Sequence, residues 1–211
     1  TLSSSSAASD VYKRQTHKNW INNCIVRFFL TRPALNDVYL VSAALFAAGN
    51  LGHFLAASFA GITVVIPPFS GQSFVEIIER EKVTMTYLNP TTYRIVRDYI
   101  EQSRRQYDLS SLRHLAIGGG QPCSGAQTKE ILDYFHIPYT NSSKAYGQAE
   151  VCSPATFLLP PDVAAGLRPG ATDKERRRLE SVGKPLGNTL VRVVDDNDHD
   201  VPPGEKGEIL L

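Results

Sequence analysis

Apolar residues recur along this chain with two periods. Helical spacing is kept by Trp20, Ile21, Cys24, Ile25 and Phe28 within 16–30, by Leu51, Phe54 and Leu55, with Ser58 on the same face, within 51–59, and by Phe74, Ile77 and Ile78. The same spacing recurs at Ile95, Val96, Tyr99 and Ile100, and at Ile131, Leu132 and Phe135. Residues three and four apart share a helix face, so each set predicts an amphipathic helix against a core. Between them stand short runs of strand length: Ile62 to Ile66, Val83 to Leu88, Leu112 to Ile117 and His136 to Thr140. The first of these is mainly β-branched, which suits a strand covered on both faces.

The punctuation agrees with these elements. Arg32-Pro33 closes the first helix, Gly61 the second, and Pro67-Pro68 stops the run after it. Asn89-Pro90 opens a helix with proline in its first turn, and Ser124 with Gln127 forms a capping box. Alternating strands and helices at this spacing predict an α/β fold, with a largely parallel sheet flanked by helices. Beyond Glu150 the pattern changes. Leu158 to Leu179, with Pro160-Pro161, Pro169-Gly170 and the charged run Lys174 to Arg178, reads as a surface excursion. Leu190 to Val194 and Glu208 to Leu211 then predict strands, which gives a β-rich C-terminal portion. The chain stops inside the last of these and is expected to be truncated.

Composition narrows the class. The chain has 211 residues, 42% of them hydrophobic and 20% charged, and is globular in composition. A net charge of +1 gives no global reason to expect nucleic acid as a partner. Val38 to Val75 contains no charged residue, but Ser42, Asn50, His53 and Ser58, with Gly49, Gly52 and Gly61, interrupt it. No membrane span is expected there; a buried helix and strand are. Three cysteines, Cys24, Cys123 and Cys152, without paired spacing fit a reducing compartment, and the expected location is cytoplasmic. Residues 1–15 are Ser/Ala-rich, lack periodicity and do not have the layout of a signal peptide, so they are expected to form a tail outside the fold.

Two stretches carry candidate chemistry. Gly118-Gly119-Gly120 follows a strand and precedes a capped helix, which in an open α/β sheet is either a tight turn or a ligand site. It matches neither GxGxxG, since Cys123 stands at the third glycine, nor the P-loop, since Ala126-Gln127 follow Gly125. Tyr146-Gly147-Gln148-Ala149-Glu150 sets a planar ring, a flexible backbone and a carboxylate within five positions. Glu150 there is either a surface or capping acid, or a ligand for a cation such as magnesium. The two exits become neighbours if their strands pair. The five histidines show no metal-ligand spacing, and Asp196, Asp198 and Asp200 lack the glycine of a calcium loop.

These stretches resemble motifs of the adenylate-forming enzymes, which include acyl- and aryl-CoA synthetases, luciferases and the adenylation domains of peptide synthetases. Gly119-Gly120-Gln121-Pro122 is similar to their Gly-Gly-Ala-Pro loop, and Ala145 to Glu150 to their Tyr-Gly-x-Thr-Glu motif. Ser181 to Pro185 and Pro203 to Glu208 resemble the later Gly-x-Pro and Pro-Gly-x-x-Gly-Glu segments. The resemblance covers residues 16–211, as part of the family's large domain. It implies ATP-dependent activation of a small-molecule carboxylic acid as an acyl-adenylate, then transfer to a thiol of coenzyme A. An enzyme that loads a carrier-protein thiol, or a non-catalytic nucleotide-binding protein of the same fold, is the alternative.

By position, the resemblance implies that Gly119, Gly120, Gln121, Pro122, Ala145, Tyr146, Gly147, Gln148, Ala149 and Glu150 bind ATP or AMP. Tyr146 would stack on adenine, and Glu150 would hold Mg2+ and serve catalysis. Ala47, Gly118, Gly119 and Gly120 would border the acyl pocket. Two positions depart from the pattern: Ala149 stands where most members have Thr, and Leu45-Phe46-Ala47 aligns with Leu-Phe-His. The acyl substrate is left open by both. A phosphate loop upstream of Thr16 and a catalytic Lys beyond Leu211 belong to the family pattern, so the piece is expected to be inactive alone.

Overall fold

Reciprocal caps start most of the helices, among them the predicted starts at Asn89 and Ser124. Thr16 caps α1 (His17–Thr31), and Ser70, Asn89 and Ser124 cap α3 (Gly71–Glu81), α4 (Pro90–Ser103) and α5 (Gly125–Tyr134). In each the cap side chain accepts an N3 amide, and the N3 side chain takes the cap amide in return. Left-handed Arg32 and Lys82 end α1 and α3. The computed structural model describes residues 15–211. The expected tail therefore lies, except for Gln15, outside the described residues.

Between these helices run β1 (Val38–Leu40), β2 (Thr63–Val65), β3 (Met85–Leu88), β4 (His114–Gly118) and β5 (Ser142–Tyr146). They pair in parallel in the order β2-β1-β3-β4-β5. β6 (Thr156–Leu158) and β7 (Lys184–Pro185) extend the sheet antiparallel, and β8 (Arg192–Val194) with β9 (Glu208–Leu210) forms a separate ribbon. Alternate residues of each strand face opposite layers. Leu40, Leu88, Leu115 and Ile117 join Phe74, Ile78, Val96, Ile131 and Leu132 of α3, α4 and α5 in the larger core. Tyr39, Val41 and Met85 face the other way, onto Ala57 of α2 (Ala48–Phe59), and α1 packs on α2. No helix among the described residues is long and apolar enough to cross a membrane.

Several expectations need correction. β1, absent from the sequence prediction, is only three residues long. β2 is an edge strand with Thr63 exposed, and is not covered on both faces. α2 turns Asn50, Gly52, His53, Ala56 and Ala57 inward and leaves Ser58 exposed; at Gly52 the Arg27 guanidinium of α1 comes too close for a side chain. Ile95 is exposed, while Tyr93 is buried against Tyr134 and Phe135 with its hydroxyl donating to Glu130 at 3.1 Å.

His136 to Thr140 is not a strand. Left-handed His136 leaves α5, a 3-10 turn covers Tyr139–Asn141, and β5 begins at Ser142. The surface excursion is likewise replaced by β6 and two helices, α6 (Pro160–Leu167) and α7 (Asp173–Glu180). Val163 and Leu179 anchor those helices in the larger core, and the charged run lies on the outer side of α7.

Candidate functional site

Register decides where the two glycine exits lie. β4 and β5 pair in parallel with Gly118 opposite Ala145, so both chains leave the sheet side by side at the carboxyl ends of their strands. A Cβ on Gly118 would stand 2.6 Å from the Ala145 carbonyl oxygen, which confines this position to glycine. Gly119 and Gly120 follow with φ of +74° and +73°, a conformation that glycine adopts without a Cβ penalty. Tyr87 of β3 donates its hydroxyl to the Gly118 carbonyl, and a Cβ on Gly119 would collide with that hydroxyl. Burial pushes the Tyr87 hydroxyl up to a pKa of about 12, so it remains a donor.

The exits enclose a cleft of about 420 Å3, lined by residues 117–123 and 144–148 together with Glu180 and Val182. Gly118, Gly119, Gly120, Gln121, Pro122, Ala145, Tyr146, Gly147 and Gln148 are thus brought together as predicted. Gly119 to Pro122 are exposed along the cleft, and half-buried Tyr146 ends β5. Bare backbone facing an aromatic ring suits a flat heterocycle such as a nucleoside base.

Ala149 and Glu150 are not part of this lining. They open a 3-10 turn (Ala149–Val151), and Glu150 instead borders a second pocket of about 240 Å3 with Gln15, Asn19, Asn22, Asn23, Asn188 and Thr189. Gln15 donates to the Ala149 and Glu150 carbonyls at 3.2 and 2.6 Å. Among the described residues that lining offers one side-chain carboxylate and neutral side-chain oxygens and no Lys or Arg, a donor set that fits a hard cation. Among the described residues no group of three or more His, Cys, Asp or Glu could hold a metal alone. A Mg2+ ion here would need oxygens of a bound nucleotide, as is usual for that ion. Ala47, the N-cap of α2, is exposed and lines neither pocket.

Sequence reasoning missed Lys144, Tyr87 and Glu180. Buried Lys144 projects from β5 and donates to the carbonyls of Cys123 and Leu179, both at 2.7 Å. It ties the glycine loop and the end of α7 to the strand between them. Burial lowers its pKa below the ordinary lysine value, against the raising influence of Cys123 and Glu180. Glu180 accepts the Gly125 amide at 2.9 Å, at the first residue of α5. A lysine within a run of small residues was the available signal, but it fell in a segment not expected to be strand. Burial raises the Cys123 thiol, which argues against a nucleophile.

Comparison with known proteins supplies the context. The chain is 29% identical over 192 residues to indoleacetate–CoA ligase of Aromatoleum aromaticum, covering 90% of this chain and 34% of that protein. It is 33% identical over 199 residues to 2,3-dihydroxybenzoate-AMP ligase of Bacillus subtilis, covering 94% of this chain and 32% of the relative. Among solved structures, O-succinylbenzoate coenzyme A synthetase of Bacillus subtilis, in complex with ATP and magnesium ion, superposes with a TM-score of 0.69 at 26% identity. That match covers 92% of this chain and 36% of the synthetase. The chain thus spans about a third of the length of the relatives it matches. The profile described as AMP-binding enzyme matches residues 15–211, and with it the fold and both glycine motifs agree: the chain belongs to the AMP-binding enzyme family.

Proposed function

We propose that this chain forms the nucleotide-holding part of a longer ligase that activates a carboxylic acid as its acyl-adenylate and passes the acyl group to coenzyme A. The observation that carries the proposal is the Gly118–Ala145 register, which sets the glycine loop and Tyr146 around one cleft with Glu150 four residues further on. In this reading Gly119 to Pro122 and Ala145 border adenine, Tyr146 stacks on it, and Gly147 to Ala149 lead along the phosphates. Glu150 and the neighbouring amide oxygens would hold Mg2+. Bound Mg2+ supplies neutralisation of charge developing on the phosphates. The Gly118 to Gly120 backbone would border the acid. Three buried free thiols suit a cytoplasmic setting.

The chemistry asks no nucleophile of the protein. A carboxylate oxygen attacks the α-phosphorus, and the bond to pyrophosphate breaks. A thiolate then attacks the acyl carbon, and AMP leaves. The chain's own residues bind, orient and stabilise charge, the usual source of rate in phosphoryl chemistry.

The test uses the full-length protein that contains this chain. Carboxylate-dependent exchange of pyrophosphate into ATP is expected, with aromatic acids tried first because several relatives are named for them. Addition of coenzyme A or a carrier protein then identifies the acceptor. Tyr146→Ala should weaken AMP binding about five- to a hundredfold, the scale of one base–aromatic stack. Glu150→Gln should slow exchange about ten- to a thousandfold. No exchange with any acid, or variants equal to wild type, would refute the assignment.

A further inference from the structure

The turn that carries Glu150 is tightly wound. Val151 and Ser153 donate their amides to the Gln148 carbonyl at 3.2 and 3.1 Å, and Cys152 donates to Ala149 at 3.1 Å. Cys152 and Ser153 are consecutive non-glycine residues at positive φ, +60° and +29°, in a region that L-residues disfavour. The turn also folds back on its own start: a Cβ on Gly147 would stand 2.8 Å from Pro154 Cα and from Ser153 Oγ. A strained turn keeps its shape only where its surroundings hold it.

Side chains of and just before α1 hold this one. Gln15 takes its front edge through the Ala149 and Glu150 carbonyls. Arg27, three turns along the helix, takes its back edge by donating Nη2 to the Ser153 carbonyl, while its Nε donates to Asn23 Oδ1 at 2.7 Å. Arg27 is only 3% exposed and makes no ion pair among the described residues. The titratable groups facing it are Cys24, Tyr39, His53, Tyr87 and Cys152. Gly52 on α2 gives the guanidinium room, since a Cβ there would lie 2.9 Å from both Nε and Nη2. A charge buried without a counter-ion weakens a fold more than it supports it, so the use of Arg27 lies in what it holds.

We propose that Arg27 is a positioning residue for the ligase reaction: bound to the Ser153 carbonyl, it fixes the strained turn at the depth where Glu150 meets the cation of the bound nucleotide. The inference rests on the ligase reading above and adds a residue to it. Arg27 touches neither nucleotide nor acid. Its removal acts through the turn, on the cation end of the site, and leaves the Tyr146 cleft in place.

The experiment compares Arg27→Met, Arg27→Lys and Gly52→Ala in the full-length protein. Measured are exchange rate against free Mg2+, AMP affinity without Mg2+, and the melting temperature. Arg27→Met should raise half-saturating Mg2+ about tenfold or more, the scale of one lost hydrogen bond to a charged group. AMP affinity without Mg2+ should stay within about twofold, and Arg27→Lys, which keeps a donor, should recover most of the loss. Gly52→Ala pushes the guanidinium aside while keeping the charge and should shift the Mg2+ curve in the same direction, so it decides the matter if Arg27→Met does not fold. Folded Arg27 and Gly52 variants with an unshifted Mg2+ curve, or with AMP affinity falling in parallel, would overturn the positioning role while wild-type exchange keeps the ligase reading. No wild-type exchange would overturn both.

Discussion

Gly119→Ala tests whether the cleft's floor is built as described, because two separate costs meet at one atom. The new Cβ must adopt φ of +74°, which an L-residue does at a cost of about 1–2 kcal/mol. It also collides with the Tyr87 hydroxyl, which must leave the Gly118 carbonyl, for roughly a further 1 kcal/mol. The sum, about 2–3 kcal/mol, corresponds to a fall in melting temperature of about 4–12 °C for a domain of this size. A double-mutant cycle with Tyr87→Phe separates the two. The ring carbon that bears the hydroxyl would stay 3.5 Å from the new Cβ, an ordinary contact. In the Tyr87→Phe background only the backbone cost remains, so urea unfolding should give a coupling of about 1 kcal/mol. Additivity within about 0.3 kcal/mol would refute the collision, and with it the placement of Tyr87 beneath the glycine loop.

Two further outcomes follow from buried titratable groups. Lys144→Met leaves the Cys123 and Leu179 carbonyls without their donor but also removes a desolvated charge; the lost bonds should win by about 1–3 kcal/mol in urea unfolding, and an equal or more stable variant would refute the tie. Burial lowers the pKa of His114 to about 4, with Arg113 acting in the same direction and Asp37 opposing. The folded pKa thus lies below the unfolded value, so the unfolded chain takes up a proton first, and stability is lost as pH falls from about 6.5 to 4. Relative to His114→Gln, wild type should lose about 3 kcal/mol over that range, and a pH-independent gap between the two would contradict neutral burial.

Helix caps and the glycine loop were legible in the sequence because each has a local cause. Asn89-Pro90 and Ser124 with Gln127 set helix starts through their own hydrogen bonds, wherever the rest of the chain goes. The parts that were not legible are those in which tertiary contact overrides local pattern. α2 reads as a leucine and phenylalanine face, yet it buries Gly52, Ala56 and Ala57, with the Arg27 guanidinium close against Gly52. β5 begins Ser-Ser-Lys, a poor strand by composition. It is central, however, and two of its polar side chains find partners there: Ser142 Oγ donates to the Leu115 carbonyl at 2.9 Å, and Lys144 to two carbonyls. Mistaking β5 also hid the hairpin of α6 and α7, since Leu179 and Glu180 make sense only as neighbours of that strand.

The same error bears on how the five-residue stretch works. Taken as one loop, Tyr146 to Glu150 would present its ring and its carboxylate to a single point. In the structure the strand runs through Tyr146 and a strained turn follows, so the ring borders one pocket and the acid another. A nucleotide is itself two-ended, with a flat base and a charged phosphate tail that carries a cation. The proposed function then needs no long-range arrangement to match both ends: strand geometry fixes the base end, and the turn fixes the cation end. This makes the backbone of Gly147 to Ala149 the spacer between them, with the Ala149 carbonyl held by Gln15 at 3.2 Å. It also explains why remote Arg27 should matter to magnesium and not to adenine, since only one of the two pockets lies beyond the turn it holds.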